Sequence, residues 1–572
     1  MEEQQDRSRD YIKQIKNNEE LHAALSSQKE QFIFINVRFS GDINFYEALL
    51  NRPIAGIRFL ERKTEYKKEQ FLKEIDPEMI VSDIQFNKKL SFLDCQFDIP
   101  LEFKNVVFKE GVSFSHSTFD RPLEIIETNL EGTAIFGFKS KSFVLIKDSV
   151  FSHIEGRNSR LSVKESFHIE RTVINSHLDF SESRFERSLS LIEVTILGSF
   201  KLRNSSVGSL HFGSFENPLI MAEINELDIS ETEFSGQVQL SNLNINTVLL
   251  GIETVFNESV FCVNVNFSKD AYFRNSIFHK ALYLENSSVK GSFEFYGATL
   301  NSDITFSDFD HTAANILFTS AQINANLWIG SPLYKDAIEY TGKISFLGAN
   351  ISSSTIVRIF NVNKPKSPSG EIDFSNALVK GLLDIRNVYL NKITFDGTVV
   401  TGNIQDNNTL LRAIKDRNSA RILKHEAKRI NNNISALSYN KLEMKLYGNT
   451  LNFKSFSDWS ILKLNGMSNN YGADWGRGVI FTIACGLICY SLFNMSMYGV
   501  GFIWERDYNF IFNDETFWAG FINYFWLPTG FYELIKENKV QGNFVGAFFF
   551  VIGKILIAYG IYQTIAAFRK YI

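Results

Sequence analysis

Hydrophobic residues recur every eleven positions along most of the first four hundred residues. Each unit has two hydrophobic residues separated by one position, and a third that follows after four more positions. The clearest example consists of two interleaved series, Phe86, Phe97, Phe108, Phe119 and Leu130, and Phe92, Phe103, Phe114, Ile125 and Phe136. After an irregular stretch the spacing returns over 167–207 and 227–300, and it continues more loosely to position 390. This self-similarity predicts a repeat fold.

The residues between the hydrophobic positions decide which repeat fold is expected. An eleven-residue period also fits a right-handed coiled coil. However, the intervening positions hold Ser, Asn, Asp, Gly, Thr and His, which are poor helix formers. The pattern therefore predicts an all-β solenoid of very short strands joined by tight turns. With two units in each rung, the span 86–401 gives roughly 14 rungs and about 70 Å.

Units such as CQFDIPLEFKNVVFKEGVSF, with a hydrophobic residue at the centre of each side of about five residues, resemble pentapeptide-repeat proteins. That resemblance implies a right-handed quadrilateral β-helix, although the steps here alternate between five and six residues. We assign the β-helix to 31–403, an N-terminal helical cap to 1–30 and a charged helical insertion to the region near 61–79. The repeat phenylalanines are expected to form the core.

A basic helical neck is predicted over 404–475, where hydrophobic residues change to helical spacing. Seven basic residues fall within eighteen positions, against Asp416 and Glu426. They are Arg412, Lys415, Arg417, Arg421, Lys424, Lys428 and Arg429. Three interpretations stay open: a solvated face near anionic lipid headgroups, a ligand-binding surface for an anion such as a nucleotide or single-stranded DNA oligomer, and contacts with a neighbouring subunit.

The last hundred residues predict a transmembrane domain over 476–572. Two apolar segments, 479–502 and 544–568, are long enough to span a bilayer as helices. Between them, the aromatic segment 515–535 is interrupted by Pro528 and Gly530, so we expect a re-entrant helix and a turn. The charged N-terminus contains no signal-peptide pattern, and two spans are therefore expected to leave both termini in the cytosol.

The order of span, half-helix with a turn, and span resembles the two-helix pore module of tetrameric ion channels. The segments 464–482 and 562–571 also look like the membrane part of bacterial pentapeptide-repeat proteins with an ion-channel-like C-terminus. The resemblance implies a homotetramer in the bacterial inner membrane with pore residues Pro528, Thr529, Gly530 and Phe531. It does not extend to potassium selectivity, because the turn lacks the full Gly-Tyr-Gly filter.

Lys554 lies about ten residues into the second span, where an ionisable group is costly and marks a pathway or a buried partner. We add it to the expected pore residues. Three placements stay open: in the lumen, where a ring of amines would repel cations, at a subunit boundary, or extended towards the membrane surface.

Composition limits the possible functions. A net charge of −5 argues against a protein whose whole surface binds nucleic acid. Cys95, Cys262, Cys485 and Cys489 have no metal-ligand spacing, so we expect neither a metal site nor a cofactor. Nor do we find a nucleophile–base or paired-carboxylate arrangement, and we expect no enzyme.

Two functions remain. The first is an oligomeric gated ion channel whose cytosolic β-helix and neck sense a ligand or a partner. This plan resembles anti-phage effectors that depolarise the cell, among them the Hailong type, whose channel a DNA oligomer holds shut. The second is a β-helix scaffold tethered to the bilayer, which binds a cytosolic protein partner without conduction.

Overall fold

The computed structural model describes residues 13–50, 52–60, 78–156, 161–214, 221–307, 314–330, 339–360, 362–364, 366–406, 409–451, 456–497, 515–538 and 543–569. The chain forms two compact units. The first comprises Met1–Ile393 and Thr398–Thr409, and the second comprises Thr394–Gly397 and Leu410–Ile572.

A parallel β-solenoid of about 16 turns forms the first unit, which confirms the predicted all-β solenoid. Within the described residues its single sheet contains 47 strands. In chain order the strands are Lys13–Ile15, Phe32–Ile35, Val37–Phe39, Ile43–Asn44, Ile57–Phe59, Met79–Ser82, Ile84–Phe86, Leu90–Leu93, Gln96–Phe97, Leu101–Lys104, Val107–Phe108, Gly111–Phe119, Leu123–Ile126, Asn129–Ser140, Val144–Lys147, Val150–Glu155, Ser162–Val163, Ser166–Glu170, Val173–Ile174, Leu178–Asp179, Arg184–Ile192, Thr195–Lys201, Ser206–Gly213, Ala222–Asp228, Glu233–Phe234, Val238–Leu250, Val255–Phe256, Val260–Phe267, Asp270–Tyr272, Ile277–Phe278, Leu282–Glu285, Ser288–Val289, Ser292–Glu294, Thr299–Leu300, Ile304–Ser307, Asn315–Leu317, Gln322–Ile323, Leu327–Ile329, Lys343–Ser345, Asn350–Ile351, Ile356–Ile359, Glu371–Asp373, Leu378–Val379, Leu382–Asp384, Lys392–Thr394, Val399–Val400 and Asn403–Gln405.

The register of the strands confirms that one rung consists of two eleven-residue units. Leu101 pairs with Leu123, and Phe92 pairs with Phe114, so equivalent positions of successive turns lie side by side. This register stacks the phenylalanine rings in ladders inside the solenoid. The rings of Phe92 and Phe114 lie 5.1 Å apart and nearly parallel, and those of Phe256 and Phe278 lie 4.7 Å apart. Burial of these rings, together with the buried Leu, Ile and Val side chains, stabilises the fold.

The solenoid begins earlier in the chain than the repeat pattern indicates. Lys13–Ile15 already pairs in parallel with Val37–Phe39, and Phe34 stacks on Phe92 with ring centroids 5.2 Å apart. Ile43 pairs in parallel with Met79, whereas strand Ile57–Phe59 pairs in antiparallel fashion with Ile84–Phe86. The count of roughly 14 rungs began at position 86, and these earlier turns raise it.

The two helices predicted in the first eighty residues have different outcomes. The segment 1–30, expected to be a helical cap, contains strand Lys13–Ile15 followed by helix α1, Asn18–Ser26, among its described residues. A second short helix, α2, is Phe45–Leu50. Residues 61–77 of the insertion expected near 61–79 lie outside the described part of the chain. Met79, at the end of that range, begins the strand Met79–Ser82.

Each regular unit turns a corner through one residue with a left-handed backbone. These residues include Asp83, Asp94, Asn105, His116 and Glu127, and later Glu231, Asn242, Glu253, Asn264, Asn275 and Asn286. Asn and Asp tolerate this conformation better than other residues that carry a side chain. The eleven-residue spacing of polar corner residues therefore has a backbone cause.

The residue after each corner points into the solenoid and is often Ser or Thr. The Thr254 hydroxyl donates a hydrogen bond to the Ile229 carbonyl at 2.9 Å, and the Thr254 N–H donates to the Ser276 hydroxyl at 3.1 Å. Both side chains are buried. The hydroxyls thus satisfy backbone groups that the corners would otherwise leave unpaired in the core.

The second unit is helical. Its helices within the described residues are α3 (Arg417–Arg429), α4 (Asn433–Thr450), α5 (Phe456–Asn469), α6 (Trp475–Met497), α7 (Glu515–Phe525), α8 (Phe531–Asn538) and α9 (Phe544–Arg569). Asp416 caps α3 by accepting a hydrogen bond from the Ser419 N–H at 2.7 Å, and Thr409–Arg412 forms a preceding 3₁₀ turn. The neck predicted over 404–475 contains α3, α4 and α5.

Helices α6 and α9 are long and apolar enough to cross a membrane, by length and composition. They correspond to the two expected spans, although α6 starts four residues earlier than the predicted span and is described only to Met497. Helices α7 and α8 flank the interruption at Pro528 and Gly530.

The left-handed corner at Asn275 provides a test of the fold, because its φ is 54°. Replacing Asn275 with Ala places a methyl side chain in this conformation and should lower the free energy of unfolding by about 1 kcal/mol. Asn275→Gly is the control and should stay within about 0.5 kcal/mol of wild type. Denaturant unfolding of the detergent-solubilised protein, followed by far-UV circular dichroism, measures both. Equal stability of the two variants would contradict the role of the corner.

Candidate functional site

Helices α6 and α9 pack together through small residues. A Cβ on Gly560 would lie 3.0 Å from the Cβ of Thr482, and a Cβ on Gly478 would lie 3.1 Å from the Cα of Thr564. The Thr482 hydroxyl donates back to the Gly478 carbonyl at 2.6 Å and so leaves no unpaired polar group. Close approach through glycine and threonine is typical of helix pairs in membranes, where lipid supplies no hydrophobic drive for association.

Helix α7 folds back against this pair through tyrosine side chains. The Tyr490 ring of α6 lies 5.1 Å from the Phe517 ring and 5.2 Å from the Tyr524 ring of α7. The buried Tyr524 hydroxyl donates a hydrogen bond to the Phe549 carbonyl of α9 at 3.1 Å. Gly553 makes room for this hydroxyl, because a Cβ at that position would overlap it. Helix α7 is thereby fixed to both long helices.

Lys554 contacts the end of α7. Its ammonium donates a hydrogen bond to the Trp526 carbonyl at 2.6 Å, and it lies 5.5 Å from the Tyr524 ring centroid and 5.3 Å from that of Phe550. A cation at a helix C-terminus compensates the carbonyl end of the helix dipole. This contact forms within one chain, and the lumenal and subunit-boundary placements of Lys554 stay predictions.

The turn that follows α7 separates the expected pore residues. Phe531 begins α8 and packs against Phe550, with ring centroids 5.5 Å apart. The Gly530 N–H donates to a carboxylate oxygen of Glu533 at 3.0 Å, and the Thr529 N–H donates to the Trp526 carbonyl at 3.2 Å. Pro528 is exposed at the tip. The turn therefore has a packed apolar side and an open polar side.

The polar side of this turn is an open groove of about 460 Å³. Asn523 of α7, Thr529 of the turn, and Glu533 and Lys536 of α8 line it. Of the residues that we expected in a pore, the groove includes Thr529 alone. The spacing of Glu533 and Lys536, three residues apart after the Pro-Thr-Gly turn, is a sequence signal for a shared helix face.

A buried carboxylate in the neck contacts two of the basic residues. Glu443 of α4 is 3 % exposed and forms an ion pair with Lys424 of α3. The Arg417 guanidinium lies 4.0 Å from the same carboxylate and stacks over the Tyr447 ring at 4.0 Å. Two of the seven expected ligand-binding residues thus hold α3 and α4 together.

The other basic residues are exposed but do not all lie together. Arg421 and Lys428 lie two helical turns apart on α3, and Arg429 pairs with Glu426 at 2.6 Å. Arg412 ends the 3₁₀ turn and Lys415 precedes α3, so both lie outside the helix. Arg421 and Lys428 are therefore the strongest remaining candidates for an anionic ligand.

A connection between α5 and α9 was not evident from the sequence. The buried Asn469 side chain donates to the Gln563 side-chain oxygen at 2.5 Å and accepts from the Gly472 N–H at 2.8 Å. Asn440 of α4 donates to the Tyr471 carbonyl in the same loop at 3.4 Å. These contacts tie neck helices to the second long apolar helix.

Cysteine and histidine side chains are potential metal ligands. Burial raises the pKa of the Cys95 and Cys262 thiols to about 12 and lowers the pKa of His153 and His168. Among the described ranges, no group of three or more His, Cys, Asp and Glu side chains is arranged to hold a metal ion.

Comparison of the chain with protein-family models, with curated proteins and with solved structures finds no match. The pentapeptide-repeat and channel resemblances therefore stay predictions from the sequence.

The buried pair in the neck provides a test of how α3 and α4 are held together. Glu443→Gln leaves the Lys424 ammonium, whose side chain is 13 % exposed, without its counter-charge. We expect this to destabilise the helix pair by about 3 kcal/mol. Glu426→Gln removes a partner of the exposed Arg429 and should cost less than about 1 kcal/mol.

Hydrogen exchange of the α3 and α4 amides in the full-length protein, followed by mass spectrometry, measures both variants. Faster exchange in Glu443→Gln with little change in Glu426→Gln is the expected result. Equal exchange in the two variants would mean that the buried pair does not hold the helices.

Proposed function

We propose that the chain is the subunit of an oligomeric, gated ion channel, with a homotetramer as the expected assembly. In this proposal α6 and α9 span the bacterial inner membrane, and the segment between them contributes to the ion path. The solenoid and the neck are cytosolic and sense an anionic ligand or a partner. The function is conduction rather than catalysis.

The observation that carries the proposal is the fixed position of α7 and the turn after it. Two helices that only anchor a protein in a membrane do not need a folded, interrupted segment between them. Here the interrupted segment is held through the Tyr524 hydroxyl and the Lys554 ammonium, both of which bond backbone carbonyls. Irregular backbone at membrane depth is stable where protein buries it or where it lines water.

The sensing part of the proposal rests on the neck. Arg421 and Lys428 present positive charge to solvent, which suits a nucleotide, a DNA oligomer or lipid headgroups. The bonds of Asn469 to Gln563 give the neck a physical route to α9. Depolarisation of the cell in anti-phage defence is the role that the resemblance suggests.

The direct test is ion flux through the purified full-length protein in proteoliposomes, read with a voltage-sensitive dye under a potassium gradient. Wild type is compared with the double variant Arg421→Glu/Lys428→Glu, which changes neck charge without touching the Glu443 pair. Lys445→Glu on α4 is the matched control, because Lys445 is also an exposed neck lysine.

We expect potassium flux that differs at least threefold between wild type and the double variant, with Lys445→Glu equal to wild type. Absence of flux from wild type and from the double variant would contradict the channel. Flux that is equal in all three proteins would contradict gating through the neck.

A tethered scaffold is the second candidate, and outward side chains of the solenoid favour it. Phe261 and Tyr283 occupy equivalent positions of successive turns, and their rings stack 5.1 Å apart. Further along the same row, Arg358 lies over the Trp328 ring at 4.8 Å. Aromatic and arginine side chains are enriched at protein interfaces. Membrane insertion without flux would favour this function.

A further inference from the structure

The open groove beside the α7–α8 turn collects polar side chains within an otherwise apolar segment. Asn523, Thr529 and Glu533 bring an amide, a hydroxyl and a carboxylate to one groove of about 460 Å³, with Lys536 one helical turn beyond Glu533. Within a bilayer, polar groups are costly unless they face protein or water. The groove is therefore the part of the described segment that is best suited to contact ions.

Two of the residues that the sequence indicated for the pore are engaged elsewhere. The Lys554 ammonium bonds the Trp526 carbonyl between two aromatic rings, and Phe531 packs against Phe550. A Lys554 ring was the reason to expect repulsion of cations. This contact engages the amine at the end of α7 and leaves Glu533 as the acidic group of the groove.

Glu533 is positioned by its own backbone turn. The Gly530 N–H donates to one carboxylate oxygen at 3.0 Å, which fixes the group at the start of α8 beside Thr529. Carboxylate, hydroxyl and amide oxygens are the ligands that hard cations prefer, and rings of acidic side chains select cations in pores. Lys536, one helical turn further along α8, carries a positive charge that opposes this preference for cations.

We propose that this groove, and not Lys554, lines the ion path, and that Glu533 makes the path cation-selective. The inference rests on the proposed channel function. It implies that the Glu533 carboxylate outweighs the Lys536 ammonium in the assembled pore. Removing the carboxylate charge leaves the amine as the charged group of the groove, so the preference should change sign.

The test is the reversal potential of the full-length protein in planar bilayers under a tenfold KCl gradient. The potential is measured in the wild-type background. If only the double variant Arg421→Glu/Lys428→Glu conducts, it is measured in that background. In Glu533→Gln the amide oxygen still accepts the Gly530 N–H, so the turn is preserved. We expect the potassium-to-chloride permeability ratio to fall at least tenfold and to pass below one. Lys536→Gln should raise the ratio.

Cysteine accessibility keeps the inference testable if Glu533→Gln assembles poorly. Thr529→Cys should lose most of its current when a cationic methanethiosulfonate reagent is added. Tyr532→Cys is the matched control: Tyr532 precedes Glu533 on α8, is 84 % exposed and does not line the groove, and its current should persist. Wild type controls for Cys485 and Cys489.

The outcomes separate the two proposals. Absence of current in wild type and in the neck variant contradicts the channel itself and the selectivity with it. Current with an unchanged permeability ratio in Glu533→Gln overturns the assignment of selectivity to Glu533. Current that persists in modified Thr529→Cys overturns the groove as the path, while the channel function stands.

Discussion

Stacking of equivalent side chains in parallel register is the constraint on which the solenoid depends. Phe92 lies on Phe114 because their strands pair residue for residue, and each ring buries its faces against the turns on both sides. The same register aligns the left-handed corners and the buried hydroxyls that follow them, such as Thr254 and Ser276. A substitution at one position therefore alters the packing of the adjacent turns, because each turn contacts mainly its neighbours.

A different constraint applies to helices α6 and α9, which are long and apolar enough to cross a membrane, because lipid tails would be as apolar as the side chains of these helices. Here the position of α7 depends on contacts with backbone carbonyls. Tyr524 bonds the Phe549 carbonyl and Lys554 bonds the Trp526 carbonyl, while Gly553 makes room for the Tyr524 hydroxyl. Backbone groups must be satisfied within the protein wherever a helix is surrounded by lipid, and Lys554 of the apolar helix α9 satisfies one such carbonyl.

The neck shows how burial changes the meaning of a charge cluster. Along the chain, seven basic residues form one cluster, which could face lipid headgroups, an anionic ligand or a neighbouring subunit. In the fold, Glu443 arrives from α4 and takes Lys424 and Arg417 into the contact between helices. What remains for a ligand is a smaller exposed set on α3. The buried pair connects α3 to α4.

The sequence by itself determined the solenoid, the two-unit rung, the helical neck and the two apolar helices. Each of these features follows from the spacing of hydrophobic residues or from the length of an apolar segment. The tertiary structure alone decided which side chains meet. Glu443 lies outside the basic run whose Lys424 and Arg417 it contacts, and Lys554 lies 28 positions from the carbonyl that it binds. Such contacts join residues that are far apart in the chain and depend on how the helices pack against one another. A periodic sequence pattern does not predict them.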